Sequence, residues 1–177
     1  LGSLEGVFTE PSDSAVGAQL ASFWNAFSEA ANNPASLPAR TAVLTQASTL
    51  VSTFQKASAD LTAQHSELTT QLYLSVGQVN DLAKQIADLN SQVRAGAVAG
   101  LDTGDLEDKR DQLVDQLTTM VGATTRVGEN RQVDVLLGDS PLVAGNKSAA
   151  IQVVATGSLP APLDTLPMQN MQLQWTS

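Results

Sequence analysis

His65 is the one side chain of this 177-residue protein whose charge changes near neutral pH and which commonly ligates metals. A metal site would need further donors on the same helical face, and Gln64 and Glu67 point elsewhere by helical spacing. We read His65 as a polar residue on an apolar seam, where such residues set helix register. A Ser-His-acid arrangement cannot be assembled either, because this histidine sits in the middle of a long helical repeat, away from any cleft. The run Glu107-Asp-Lys-Arg-Asp111 gathers carboxylates that acid–base chemistry could use. Its simpler reading is a solvated helix start laced with salt bridges, with Arg110 turned onto the seam. Gly96 and Gly100 have neither the Lys-Ser pair nor the preceding strand of a phosphate loop. Asp102 to Asp105 lacks the calcium-loop pattern. The sequence therefore points to no catalytic residue, no cofactor and no metal.

Composition narrows the partners. A net charge of −9 argues against nucleic acid, which is bound by clustered Lys and Arg, and against anionic membranes. No apolar run is long enough to span a bilayer, and no signal-peptide pattern is present. Leu1 in place of Met implies that the true start is missing. The absence of cysteine excludes disulfides and thiolate metal sites. Charged residues make up 15%, below the roughly 25% usual for soluble domains. Aromatics are only 4%, so the core must be mostly Leu, Val and Ala.

Three helices are expected, at about 14–32, 38–95 and 104–121, forming a helical domain over residues 1–122. Pro11-Ser12-Asp13-Ser14 supplies start residues for the first, and Asn33-Pro34 stops it. Pro38 then suits the first turn of the second helix. Phe23, Trp24 and Phe27 recur at helical spacing in the first helix and are expected to plug into the core against the long one.

The second helix carries the strongest physical signal. Leu44, Ala47, Val51, Phe54, Ser58, Leu61, His65, Leu68, Leu72, Ser75, Val79, Leu82, Ile86, Leu89 and Val93 are separated by alternating steps of three and four. All but Ser58, His65 and Ser75 are apolar, so a seven-residue repeat persists throughout and predicts a left-handed supercoiled seam. At about 1.5 Å per residue the helix would extend about 85 Å, the length of a rod. Gly96 and Gly100 are read as a turn able to take positive φ. The third helix has Thr103 or Asp105 as its cap and acidic residues in its first turn. Its inner stripe is Leu106, Leu113, Leu117 and Met120, with Arg110 on the same face.

After Gly122 the period changes to alternation, and residues 123–177 are expected to form a β-rich region, the start of an outer β-domain. Thr124–Val127 and Val133–Leu137 read as a hairpin around Gly128-Glu129-Asn130. Gly138 to Pro141 reads as a turn, Leu142-Val143 and Ile151 to Val153 as short strands, and the Pro-rich stretch from Gly157 to Pro167 as a loop. Met171, Leu173 and Trp175 alternate with polar residues, as in a half-buried strand. The chain stops there, so a fragment is expected. The fold class is thus mainly α with an appended β region: an elongated antiparallel helical hairpin or bundle, then short antiparallel strands.

Several stretches together resemble the family of the first hook-associated protein of the bacterial flagellum, the hook–filament junction protein. They are "FTEPSD" (Phe8–Asp13), "FWNAFSEAANNP" (Phe23–Pro34) with Arg40 and Val43-Leu44, "QIADLNSQV" (Gln85–Val93), "DLEDKRDQLVDQL" (Asp105–Leu117) and "PLVAG" (Pro141–Gly145). They occur in the family's order and spacing. Gly104 departs from the asparagine common in the family, and Gly128-Glu129-Asn130 from its usual Asp-Gly turn.

The resemblance implies a structural protein, not an enzyme, that adapts the hook to the filament and is required for filament assembly. It implies export through the flagellar type III secretion channel and a place in the extracellular flagellum. Implied partners are copies of itself, the hook protein, the next hook-associated protein and an export chaperone acting at an absent C-terminus. Nucleic acid and membrane are not among them. Family members also carry N- and C-terminal helical segments, absent here, so the fragment alone is expected to be monomeric. An alternative from the seam alone is a secreted coiled-coil adhesin that binds another protein.

Overall fold

The computed structural model describes residues 15–158 and 169–176. Helices α1 (Val16–Asn32), α2 (Leu37–Val98) and α3 (Gly104–Val121) precede strands β1 (Thr124–Val127), β2 (Val133–Leu137), β3 (Ser140–Ala144), β4 (Lys147–Ser148), β5 (Ile151–Ser158) and β6 (Gln169–Trp175). The class is the expected one, helices followed by short antiparallel strands.

Local chemistry sets the helix ends. Ala15, which has no side-chain oxygen, stands before α1; Pro11 to Ser14, the expected start residues, lie outside the described residues. Asn33, preceding Pro34, leaves helical geometry at φ −128° and its N–H closes the last turn on the Glu29 carbonyl at 3.0 Å. Its side-chain amide also donates to Glu29 Oε1 at 2.7 Å. Ser36 Oγ then accepts the Ala39 N–H at 3.3 Å and caps α2. At the far end of α2, the Leu101 N–H donates to the Gly96 carbonyl and the Gly100 N–H to the Ala97 carbonyl. This pair of bonds needs a left-handed residue, and Gly100 supplies it at φ 71°. Gly96, expected in the turn, instead lies inside α2.

The chain divides into two compact units, Leu1–Leu68 and Thr69–Ser177, and α2 contributes to both. In the first unit, α1 and the start of α2 enclose a shallow apolar crevice lined by Phe27, Ala30, Ala31, Arg40 and Val43. No residue of α1 is buried. This corrects the expectation of aromatic plugs: Trp24 is 55% and Phe27 51% exposed, and Phe23 is half-buried. The three rings pack on one another, with centroids 5.5 to 6.3 Å apart, because only α2 lies against α1 among the described residues of this unit.

In the second unit, α3 runs back along α2, with Asp115 to Met120 beside Gln78 and Leu82. Val79, Leu82, Ile86, Val114 and Leu117 from these helices share one core with Val135, Leu142, Val143 and Ile151 from the strands. The division expected after residue 122 falls inside this unit, where helices and strands bury the same surface. One antiparallel sheet has the order β1-β2-β3-β4, with an irregularity between Val135 and Leu136; β5 and β6 form a separate antiparallel pair. The turn between β2 and β3 is shorter than expected, Gly138-Asp139, so that Ser140 and Pro141 already belong to β3. β4 was not expected from the sequence.

Candidate functional site: the helix–sheet joint and an uncovered apolar stripe

The strands are fastened to α2 by two asparagines. Asn90 is fully buried and its side chain makes three bonds to backbone, two at Val133 of β2 and one at Gly145 in the turn after β3. Its Nδ2 donates to the Val133 carbonyl at 2.8 Å and the Gly145 carbonyl at 2.7 Å, and its Oδ1 accepts the Val133 N–H at 3.0 Å. Asn80 does the same for β5: Nδ2 donates to the Ile151 carbonyl at 2.8 Å and Oδ1 accepts the Ile151 N–H at 2.9 Å. A carboxamide suits this position because it offers a donor and an acceptor side by side, matching a strand's own backbone edge. Each pairing satisfies groups that burial would otherwise strand.

The connection between β1 and β2 is held from α3. Arg110, 4% exposed, donates from Nη1 to the Arg131 carbonyl at 2.6 Å and from Nε to Asp111 Oδ1 at 2.9 Å. The Arg131 side chain returns to the start of α3, with Nη1 3.1 Å from Glu107 Oε1. Thr103, 2% exposed, donates its hydroxyl to the same carboxylate at 2.5 Å instead of capping the helix amides. The Thr103 hydroxyl, with Arg131 beside it, holds the Glu107 carboxyl below its ordinary range. Across the hairpin, Arg126 donates to Asp134 Oδ2 at 2.8 Å, and the Gly145 N–H donates to Asp134 Oδ1 at 2.8 Å. These bonds, the Arg126 bond foremost, lower the Asp134 pKa.

The seam residues fall into two groups. Val79, Leu82, Ile86 and Val93 are buried, and Leu72 and Leu89 are half-buried. Leu61 is half-buried, whereas Leu44 is 72% exposed and Val51, Phe54 and Leu68 are a little over half exposed. The seam is therefore covered only where α3 and the strands lie against it. Of the α3 anchors, Leu117 is fully buried, Arg110 is buried and Leu113 packs at the margin of the core. His65 is half-buried on α2. Among the described residues no group of His, Cys, Asp and Glu could hold a metal, and no helix is long and apolar enough to cross a membrane.

Asn80, Asn90, Thr103 and Arg131 were not read as site residues from the sequence. The signal available for Asn90 was its position: an uncharged amide directly after Leu89, beside the seam, inside one of the family-like stretches.

Buried Asn90 and Arg110 and the half-buried Asn80 thus tie the helical hairpin to both sets of strands. The model of the flagellar hook-associated protein FlgK helical domain matches residues 1–175. This chain belongs to that family. The flagellar hook-associated protein 1 of Bacillus subtilis (strain 168) is 32% identical over 154 residues, covering 87% of this chain and 29% of the relative. That of Salmonella typhimurium is 31% identical over 150 residues, covering 83% and 27%. The flagellar hook junction protein FlgK from Burkholderia pseudomallei superposes with a TM-score of 0.76 at 25% identity, over 96% of this chain and 30% of that one. The chain thus spans under a third of the length of these relatives. Within the FlgK helical domain, the family-like stretch from Asp105 to Leu117 carries the residues that hold the β1–β2 connection.

Proposed function

We propose that this chain is part of a structural component of the bacterial flagellum that adapts the hook to the filament and is needed for filament assembly. The observation that carries this reading is the family match over residues 1–175, which spans both the helices and the strands. It favours the flagellar reading over a coiled-coil adhesin, which the seam alone would have allowed. The parts it plays are mechanical, and no catalytic step is assigned to it. Its partners are copies of itself, the hook protein and the next hook-associated protein along the axis, with an export chaperone before assembly. Export through the flagellar type III secretion channel places it outside the cell. A chain without cysteine suits passage through a narrow channel and folding beyond it. The strands after residue 122 begin an outer β-domain.

The surface best suited to partners is the stripe of the first unit, with Trp24, Phe27, Leu44, Val51 and Phe54 uncovered. Several large apolar side chains left exposed along one unit mark an interaction surface. Deleting the parent gene in its own bacterium and imaging the cells by electron microscopy tests the reading. Hooks without filaments, with flagellin released to the medium, are expected. Normal filaments would overturn it.

A further inference from the structure

The connection from Gly128 to Gln132 contains two successive non-glycine residues in the left-handed region, Asn130 at φ 52° and Arg131 at φ 62°. Asparagine tolerates that region; arginine has no local side-chain bond to favour it. Such backbone persists only where its surroundings over-determine it. Here the surroundings are two grips from the start of α3. The buried Arg110 guanidinium takes the Arg131 carbonyl from inside, and Glu107 takes the Arg131 side chain from outside. The same connection leads directly into Val133, whose amide is bound by Asn90 of α2.

We propose that Arg110 is the positioning residue of the helix–sheet joint: by holding the Arg131 carbonyl it keeps the β1–β2 connection left-handed and so seats the sheet on the helices. Glu107 is the outer latch of the same joint. The connection is then a sprung element, stable while both grips are closed and relaxing toward ordinary backbone when the inner one opens. This assignment stands apart from the flagellar role and does not depend on it.

Two amides report the joint. The Gly128 N–H donates to the Gln132 carbonyl at 2.8 Å, and the Val133 N–H to Asn90 Oδ1. In Arg110→Met, which keeps side-chain bulk but removes the donors, hydrogen exchange at Gly128 and Val133 is expected to accelerate about tenfold or more. Ile86 and Leu117, in the helical core, should keep their protection. Adding Asn130→Gly, which removes part of the left-handed penalty, should restore part of the lost protection at both amides. Arg110→Lys, which keeps a charge but not the fork, should behave as an intermediate. Glu107→Gln is the milder probe should Arg110→Met fail to fold, and should loosen the same two amides alone. Uniform loss of protection through helices and sheet, or no recovery with Asn130→Gly, would overturn the proposal and leave Arg110 as general packing.

Discussion

At the scale of single residues, the polar groups decide how the sheet sits. Asn90 is fully buried and satisfies three backbone groups at once. Asn90→Ala would leave those groups buried and unpaired, a loss of about 3 kcal/mol, read as a lower urea midpoint with unchanged slope. Asn90→Asp should be comparably damaging at neutral pH, because two of the three bonds need a donor. The carboxylates act in the other direction. Glu107 and Asp134 both titrate lower in the folded chain than in the unfolded one. Their stabilisation is therefore complete above the ordinary carboxylate range near pH 4 and is lost as pH falls through the lower folded values. Asp134→Asn should flatten the acid limb of the stability profile. An unchanged acid limb would show that the Arg126 pairing contributes nothing in solution. Neither asparagine clamp was legible beforehand, since amphipathic patterning identifies faces and not the backbone groups a buried amide will meet.

At the scale of elements, the helices begin and end within three residues of the bounds expected from the sequence. Their ends are chemical events that single residues announce: Asn33-Pro34, Gly100 and Gly122. What spacing could not report is which stretch of the seam finds a partner. The seven-residue repeat runs unbroken from Leu44 to Val93, yet only the stretch beside α3 and the strands is covered. The expected aromatic plugs failed for the same reason, since amphipathic spacing names a face without naming what lies against it. The β1–β2 hairpin was legible from alternation, but its left-handed Arg131 was not, because tertiary grips override the residue's own preference. Two glycines of α2 test how closely the elements approach. A Cβ on Gly96 would sit 2.5 Å from the Thr103 methyl, which belongs to a stiff, buried β-branched side chain. Gly96→Ala should therefore destabilise by about 1–2 kcal/mol despite its better helix propensity, and Thr103→Ser, which removes that methyl, should restore most of the loss. Gly77 meets nothing within 4 Å and is exposed, so Gly77→Ala should stabilise by about 0.5–1 kcal/mol. Thermal or urea unfolding of the three variants would separate the two cases, and a stabilising Gly96→Ala would show that the α2–α3 turn has room to yield.

At the scale of the whole molecule, stability should follow the distribution of buried surface. The second unit has a continuous core in which helices and strands contribute together, with Ile86, Leu117, Val135, Leu142 and Val143 fully buried. The first unit buries Ala15 and Ala39 among its apolar residues while leaving Trp24, Phe27, Leu44, Val51 and Phe54 more than half exposed. Burial of apolar area is the main favourable term in folding, at about 25 cal/mol per Å², so a helix pair with so little of it has little to resist local opening. A helix that crosses from one unit to the other need not melt as one piece, because each stretch is held by what packs against it and not by propensity alone. Hydrogen exchange on the intact chain should show amides of Val16 to Leu68 exchanging well before those of Val79 to Val93 and Arg110 to Leu117. Denaturation of a Trp175→Phe variant, followed by Trp24 fluorescence and by far-ultraviolet circular dichroism, should accordingly give non-coincident transitions, the failure of two-state behaviour expected when units differ in stability. Equal protection along the whole of α2 would mean that the first unit is stabilised by something other than its own buried surface. Slow exchange confined to the second unit would show that the stretch of α2 beside the uncovered stripe is held only weakly by its own buried surface.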